Sequence, residues 1–251
     1  LALVQNSPAT ILNRLTIGSI AAIALVLSNR GAATEPPCGL GPPPGTPAFT
    51  EEQRRKAEEV GRHGYLTVCE ANLERFDVTL SLMPLPKVNE GLAFQPVALD
   101  RTPFAQFESL GGMQEAVGDI RSRFYRGFRD KTGHTVTLFE HDMSADGVQM
   151  YRDPKDEPER VNGLPARLVV LQSGKRAVSV LSWTEGRRAY ELWLNDNVVL
   201  AHRRQDLFAL AASLPKSVPA RPNEPPRPPM KIGPDGLPIV DMPKSLPANY
   251  R

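Results

Sequence analysis

Proline is what most restricts this chain. Of its 25 prolines, 17 fall into two stretches, Gly31 to Phe49 and Pro215 to Arg251. Proline removes a backbone donor and fixes φ, so neither stretch can supply helices or central strands to a core. What remains for a folded domain is residues 50–215, enough for one well-buried core. Lys and Arg number 30 against 28 Asp and Glu, interspersed along the chain, so no field favours a nucleic acid.

Ahead of the first proline-rich stretch lies an apolar run. Ser7 suits an N-cap and Pro8 a first helical turn. The 22 residues PATILNRLTIGSIAAIALVLSN would span about 33 Å as a helix, enough to cross a bilayer core of about 30 Å. The expectation is an uncleaved single-pass anchor over residues 1–30, with Arg14 snorkelling to headgroups. The other reading is a signal peptide cleaved near Gly31-Ala32-Ala33. Gly18 and Ala22, four residues apart, would let another helix approach. Residues 31–49 then act as a stalk. Cys38 and Cys69 are too few for a zinc site. In an oxidising compartment they would pair, and two unpaired thiols are the alternative.

In the domain, Thr50 with Gln53 reads as a capping box opening a helix through about Arg75, weakened at Gly61 and Gly64. Phe76 to Leu82 alternates as a strand. Thr102-Pro103 starts a short helix to about Leu110, ended by Gly111-Gly112. Strands are expected at Ile120–Phe128, Thr135–His141, Val148–Arg152, Ala166–Gln172, Ala177–Trp183 and Ala189–Leu194. Asp146-Gly147, Ser173-Gly174 and Glu185-Gly186 mark turns. Arg203 to Leu214 reads as an amphipathic helix with Leu207, Leu210, Ala211 and Leu214 on one face. Strands in consecutive hairpins between helices give an α+β fold, an antiparallel sheet with flanking helices.

The segment Val161-Asn162-Gly163, the hairpin LSWTEGRRAYELWL and the helix DLFALAASL resemble an extracytoplasmic bacterial domain of unknown function. That domain lies outside the membrane helix of many anti-sigma factors. The resemblance rests on Trp183, Gly186, Tyr190 and the helix Asp206 to Leu214. It implies a curved sheet related to the lipoprotein-carrier and sigma-regulator fold, on the periplasmic side of a bacterial inner membrane. The His and Cys motif of the sigma-binding domain is not found in this sequence, so the resemblance implies fold and compartment more than sigma control.

Catalytic chemistry is not expected. His134 and His141 are seven apart on one expected strand and would face opposite sides of a solvated sheet. His141-Asp142 could pair a base with its orienter, but no Ser or Cys sits in a nucleophile-elbow setting. No cofactor or metal is expected. Trp183 and Trp193 would cover the sheet or meet a partner. The tail, residues 216–251, would be an extended arm across neighbouring subunits, anchored by Ile232, Leu237, Ile239, Val240 and Met242. Such an arm would draw its contacts from partners alone, so deleting Ser217 to Arg251 should leave the domain folded. The expected role is a non-enzymatic accessory subunit of a larger membrane complex, photosynthetic or respiratory, in contact with other subunits and membrane lipid. The alternatives are an anti-sigma-like envelope sensor and a carrier of an apolar ligand.

Overall fold

A computed structural model describes residues 38–39, 41–150, 152, 154–223 and 233. The chain divides into two compact units, residues 1–34 and 35–251, and every described residue belongs to the second. The expected membrane helix, with Gly18 and Ala22, lies outside the described residues, as do Ile232, Leu237, Ile239, Val240 and Met242. Among the described residues no helix is long and apolar enough to cross a membrane.

The first helix, α1 (Pro47–His63), starts earlier and ends sooner than the sequence suggests. Thr46 caps it by accepting from the Phe49 N–H at 3.2 Å, and Pro47 fills the first turn. Gly64, at φ +77°, turns left-handed and donates to the Val60 carbonyl, closing the helix. The expected continuation to Arg75 is instead a two-residue strand, β1 (Leu66–Thr67), and a single turn, α2 (Ala71–Glu74). Cys69 pairs with Cys38 in a disulfide whose Cα atoms are 5.5 Å apart, tying the stalk to this segment.

Residues 76–82 form no strand. Asp77 accepts from the Thr79 N–H and hydroxyl, a local bond that competes with extended pairing and yields a 3₁₀ turn at Thr79–Ser81. Leu80, which the alternation would bury, is 98% exposed. A short helix, α3 (Leu85–Asn89), follows. Thr102-Pro103 opens only a 3₁₀ turn, and the glycine pair expected to end a helix lies inside β2 (Glu108–Val117). A Cβ on Gly111 would stand 2.4 Å from the Met83 carbonyl oxygen, and one on Gly112 2.9 Å from Phe124. Lacking both, Met83 and Gly112 exchange two backbone hydrogen bonds of 2.8 Å.

β3 (Ile120–Arg129) and β4 (Thr135–Asp142) follow as expected. Asp142 then caps a one-turn helix, α4 (Met143–Asp146), ended by Gly147. Residues 148–150 and 152 do not rejoin the sheet. The second run is β5 (Glu159–Val161), β6 (Leu164–Ser173), β7 (Arg176–Glu185) and β8 (Arg188–Leu194), before α5 (Arg204–Ala212). Gly174 and Gly186, both at positive φ, make the tight turns.

The result is an α+β fold on one open, mostly antiparallel eight-stranded sheet, ordered β1-β6-β7-β8-β4-β3-β2 with β5 beside β6. Two meanders are therefore joined by β4 against β8, rather than by consecutive hairpins throughout. One face carries Val136, Leu138, Leu181, Trp183, Tyr190 and Leu192, covered by Phe104 and by Leu207 and Ala211 of α5. The opposite face carries Phe139, Leu171, Val180 and Trp193, covered in part by Val68, Leu73, Phe76 and Val78.

Candidate ligand cleft and a buried ion cluster

Strand alternation places Glu140 and Asp142 on the same inward face as Leu138, and both are fully buried. Two arginines meet them. Arg126 on β3 reaches Glu140 Oε1 at 2.5 Å, and Arg188 on β8 reaches Glu140 Oε2 at 2.8 Å and Asp142 Oδ2 at 2.9 Å. Two guanidinium groups against two carboxylates leave the cluster formally neutral, the condition under which buried charge is tolerable. Backbone groups join it: Val97 N–H donates to Glu140, and Arg126 to the Val97 carbonyl. Phe94 lies under the Arg188 guanidinium at 4.2 Å.

The beginning of the expected arm also belongs to this cluster. Ser217 donates to Glu185, Arg188 donates to the Val218 carbonyl, Ala220 N–H to Asp142 Oδ2, and Arg221 N–H to Ser144 Oγ. The root of the arm is thus held by its own domain. An arm drawing its contacts from partners alone does not describe residues 217–221.

His141 is 2% exposed, which corrects the expectation of a solvated strand. Its Nε2 meets Asp146 Oδ2 at 2.6 Å, and the Ser122 hydroxyl donates to the same oxygen at 2.6 Å. Burial alone would raise the Asp146 pKa, but hydrogen bonds from Ser122, the Val148 N–H and His141 outweigh it and hold the carboxyl below its ordinary value. His141 and Asp142 point to opposite faces, so Asp142 does not orient the imidazole. Serine and histidine both bind the aspartate rather than each other, which fastens α4 to β3 and β4 and lacks the serine-to-base contact of a nucleophilic pair. His134, just before β4, meets Thr132 Oγ1 at 2.7 Å and Arg203 at 2.9 Å.

On the opposite face, the segment of α2 and Phe76 stands off the sheet and leaves a cleft of about 500 Å³. Its walls are aromatic and aliphatic: Phe76, Tyr125 and Trp193, with Val169, Leu171 and Val180. Phe76 meets Trp193 edge-on at 5.1 Å between ring centroids, and Tyr125 lies 5.6 Å from it. Glu191 faces the cleft and accepts from Trp193 Nε1 at 2.8 Å. Burial pushes its carboxyl above the ordinary value, partly offset by that bond and by Arg152 and Arg75. Arg75 and Arg167 also line the cleft. A hollow of this size that sets aromatic and aliphatic walls beside charged groups is suited to binding an amphiphilic molecule.

Of the residues expected to cover the sheet or meet a partner, the described ones are Trp183, on the other face, and Trp193, which forms part of this cleft. Its companions Arg75, Phe76, Arg167 and Glu191 were not expected. The resemblance residues Trp183 and Tyr190 stack at 5.0 Å on the other face, with Gly186 in the turn between their strands. No protein-family model, curated protein or solved structure matches the chain.

Proposed function

We propose that this chain is a non-enzymatic accessory subunit of a larger bacterial membrane assembly. A single-pass helix over residues 8–28 would anchor it, a curved-sheet domain would stand on the periplasmic side, and an extended arm would run onto neighbouring subunits. The observation that carries this reading is that both proline-rich flanks are fastened to the same domain. The stalk is held through Cys38–Cys69, and the arm through residues 217–221 on the buried ion cluster. Force on either flank is delivered to a sheet rather than to a loose end, as a clamp between membrane and exposed surface requires. A disulfide also suits an oxidising compartment.

Mild solubilisation followed by native separation tests this. The tagged chain should co-migrate in fixed stoichiometry with a large membrane complex, and truncation after Asn223 should weaken that association. A chain that runs alone under these conditions overturns the reading. A second reading, a carrier of an apolar ligand, is favoured by the cleft at Trp193, whose aromatic walls offer apolar surface to a small molecule.

A further inference from the structure

The cleft at Trp193 differs from a second hollow, beneath α5, in what its arginines are doing. That second hollow, of about 250 Å³, is lined by Phe107, Val136, Leu194 and Leu210, and its Asp130 and Arg203 already pair at 2.7 Å. In the Trp193 cleft two arginines face one glutamate. Arg75 rests its guanidinium 4.6 Å from the centre of the Phe76 ring, and Arg167 is exposed. Among the described residues, neither is within ion-pair distance of a carboxylate. Arg152 stands nearby, but it is paired with Glu157 and donates to Ser182.

We propose that this cleft takes a monoanionic amphiphile, its acid group met by Arg75 and Arg167 and its hydrocarbon body laid on Phe76, Trp193, Leu171 and Val180. The inference rests on the carrier reading of the same cleft and adds the charge and orientation of the ligand. Charge complementarity decides the sign. The lining carries a formal excess of one positive charge, and burial of Glu191 further disfavours its charged form. Arginine suits the task because its planar fork bonds both oxygens of a carboxylate or phosphate. The two arginines share the cleft with aromatic and aliphatic walls, so one molecule can satisfy both chemistries.

The test uses three probes with one aromatic body and different heads: naphthylbutyrate, naphthylbutanol and protonated naphthylbutylamine. Each is titrated calorimetrically into the full chain held in nanodiscs, with empty nanodiscs subtracted. The acid should bind about tenfold more tightly than the amine, the scale of one charge-assisted hydrogen bond. The variant Arg75→Gln/Arg167→Gln leaves Glu191 as the charged group of the lining, so it should abolish the preference for the acid or turn it toward the amine. Its near-ultraviolet circular dichroism should be unchanged, since both side chains lie on the surface. Equal binding of the three heads by the unaltered chain overturns the anionic assignment and leaves the carrier reading standing. No binding of any probe overturns both. A preference for the acid that survives in the double variant overturns the role of the arginines.

Discussion

Asp142 Oδ2 is held from two directions at the same distance, by Arg188 Nη2 at 2.9 Å and by the backbone N–H of Ala220 at 2.9 Å. Asp142 ends β4, Arg188 begins β8, and Ala220 lies beyond the last helix. One carboxylate oxygen therefore joins the two meanders of the sheet to the first residues of the tail.

Truncation should read this directly. A chain ending at Asn223 keeps every bond of residues 217–221. One ending at Lys216 loses the Ala220 donor to Asp142 and the Val218 acceptor of Arg188. Hydrogen bonds to charged groups contribute about 1.5–3 kcal/mol each. Urea unfolding should place the shorter chain about 3–6 kcal/mol below the longer one. Equal midpoints and slopes for the two would show that the strap contributes nothing.

Arg188 bridges both acids, so Arg188→Met should be the most damaging single change in the cluster. It leaves Asp142 without an arginine partner and Glu140 with Arg126 alone. Breaking a buried pair by removing one partner costs about 3–5 kcal/mol. Replacing all four charges with apolar residues of similar volume should cost less than that single change, because no buried charge is then left over. Chemical denaturation of the two variants side by side gives the comparison.

Gly111 offers a check on the β2 edge. Its φ of +109° and its contact with the Met83 carbonyl both oppose a side chain. Gly111→Ala should destabilise the domain by roughly 1–3 kcal/mol. It should also speed amide exchange at Met83 and Gly112, whose mutual bonds need that close approach. Ordinary protection at both amides in the variant would show that the strand accommodates the methyl group.

Much of the sheet was legible because its strands alternate and their turns carry glycine. Ser173-Gly174 and Glu185-Gly186 bound β6, β7 and β8 within a few residues, and Leu207, Leu210, Ala211 and Leu214 gave the face of α5. β2 was not legible. Two adjacent glycines erase the alternation there, and the reason for them is the Met83 backbone, distant in sequence. Phe76 to Leu82 misled for the opposite reason, since an alternating run was overruled by the local bond from Asp77. The ion cluster left a faint mark, with Glu140 and Asp142 polar at the inward positions that follow Val136 and Leu138. Their partners required the register of β4 against β8. In the cleft, Trp193 stood out by type alone. Arg75 and Phe76 reach it only because β1 pairs with β6 and the disulfide pins the segment between them, neither of which periodicity encodes.

Glu191 gives the last prediction, and its sign follows from linkage. Burial raises its folded-state pKa above the ordinary 4.5, so the folded protein binds this proton more tightly than the unfolded chain does. Above the raised folded value both states are deprotonated, and the folded one bears the cost of a desolvated charge. Glu191→Gln removes that charge and keeps an acceptor for Trp193 Nε1, so it should raise the melting temperature at pH 7. As pH falls through the raised folded value, the unaltered protein regains this stability. Below 4.5, where glutamate is protonated in both states, the two melting temperatures should converge. A difference that stays constant from pH 7 to below 4.5 would mean that the introduced amide acts by packing or hydrogen bonding and not through the buried charge. A loss of stability at pH 7 would mean that Arg75 and Arg152 together outweigh the burial of the carboxylate.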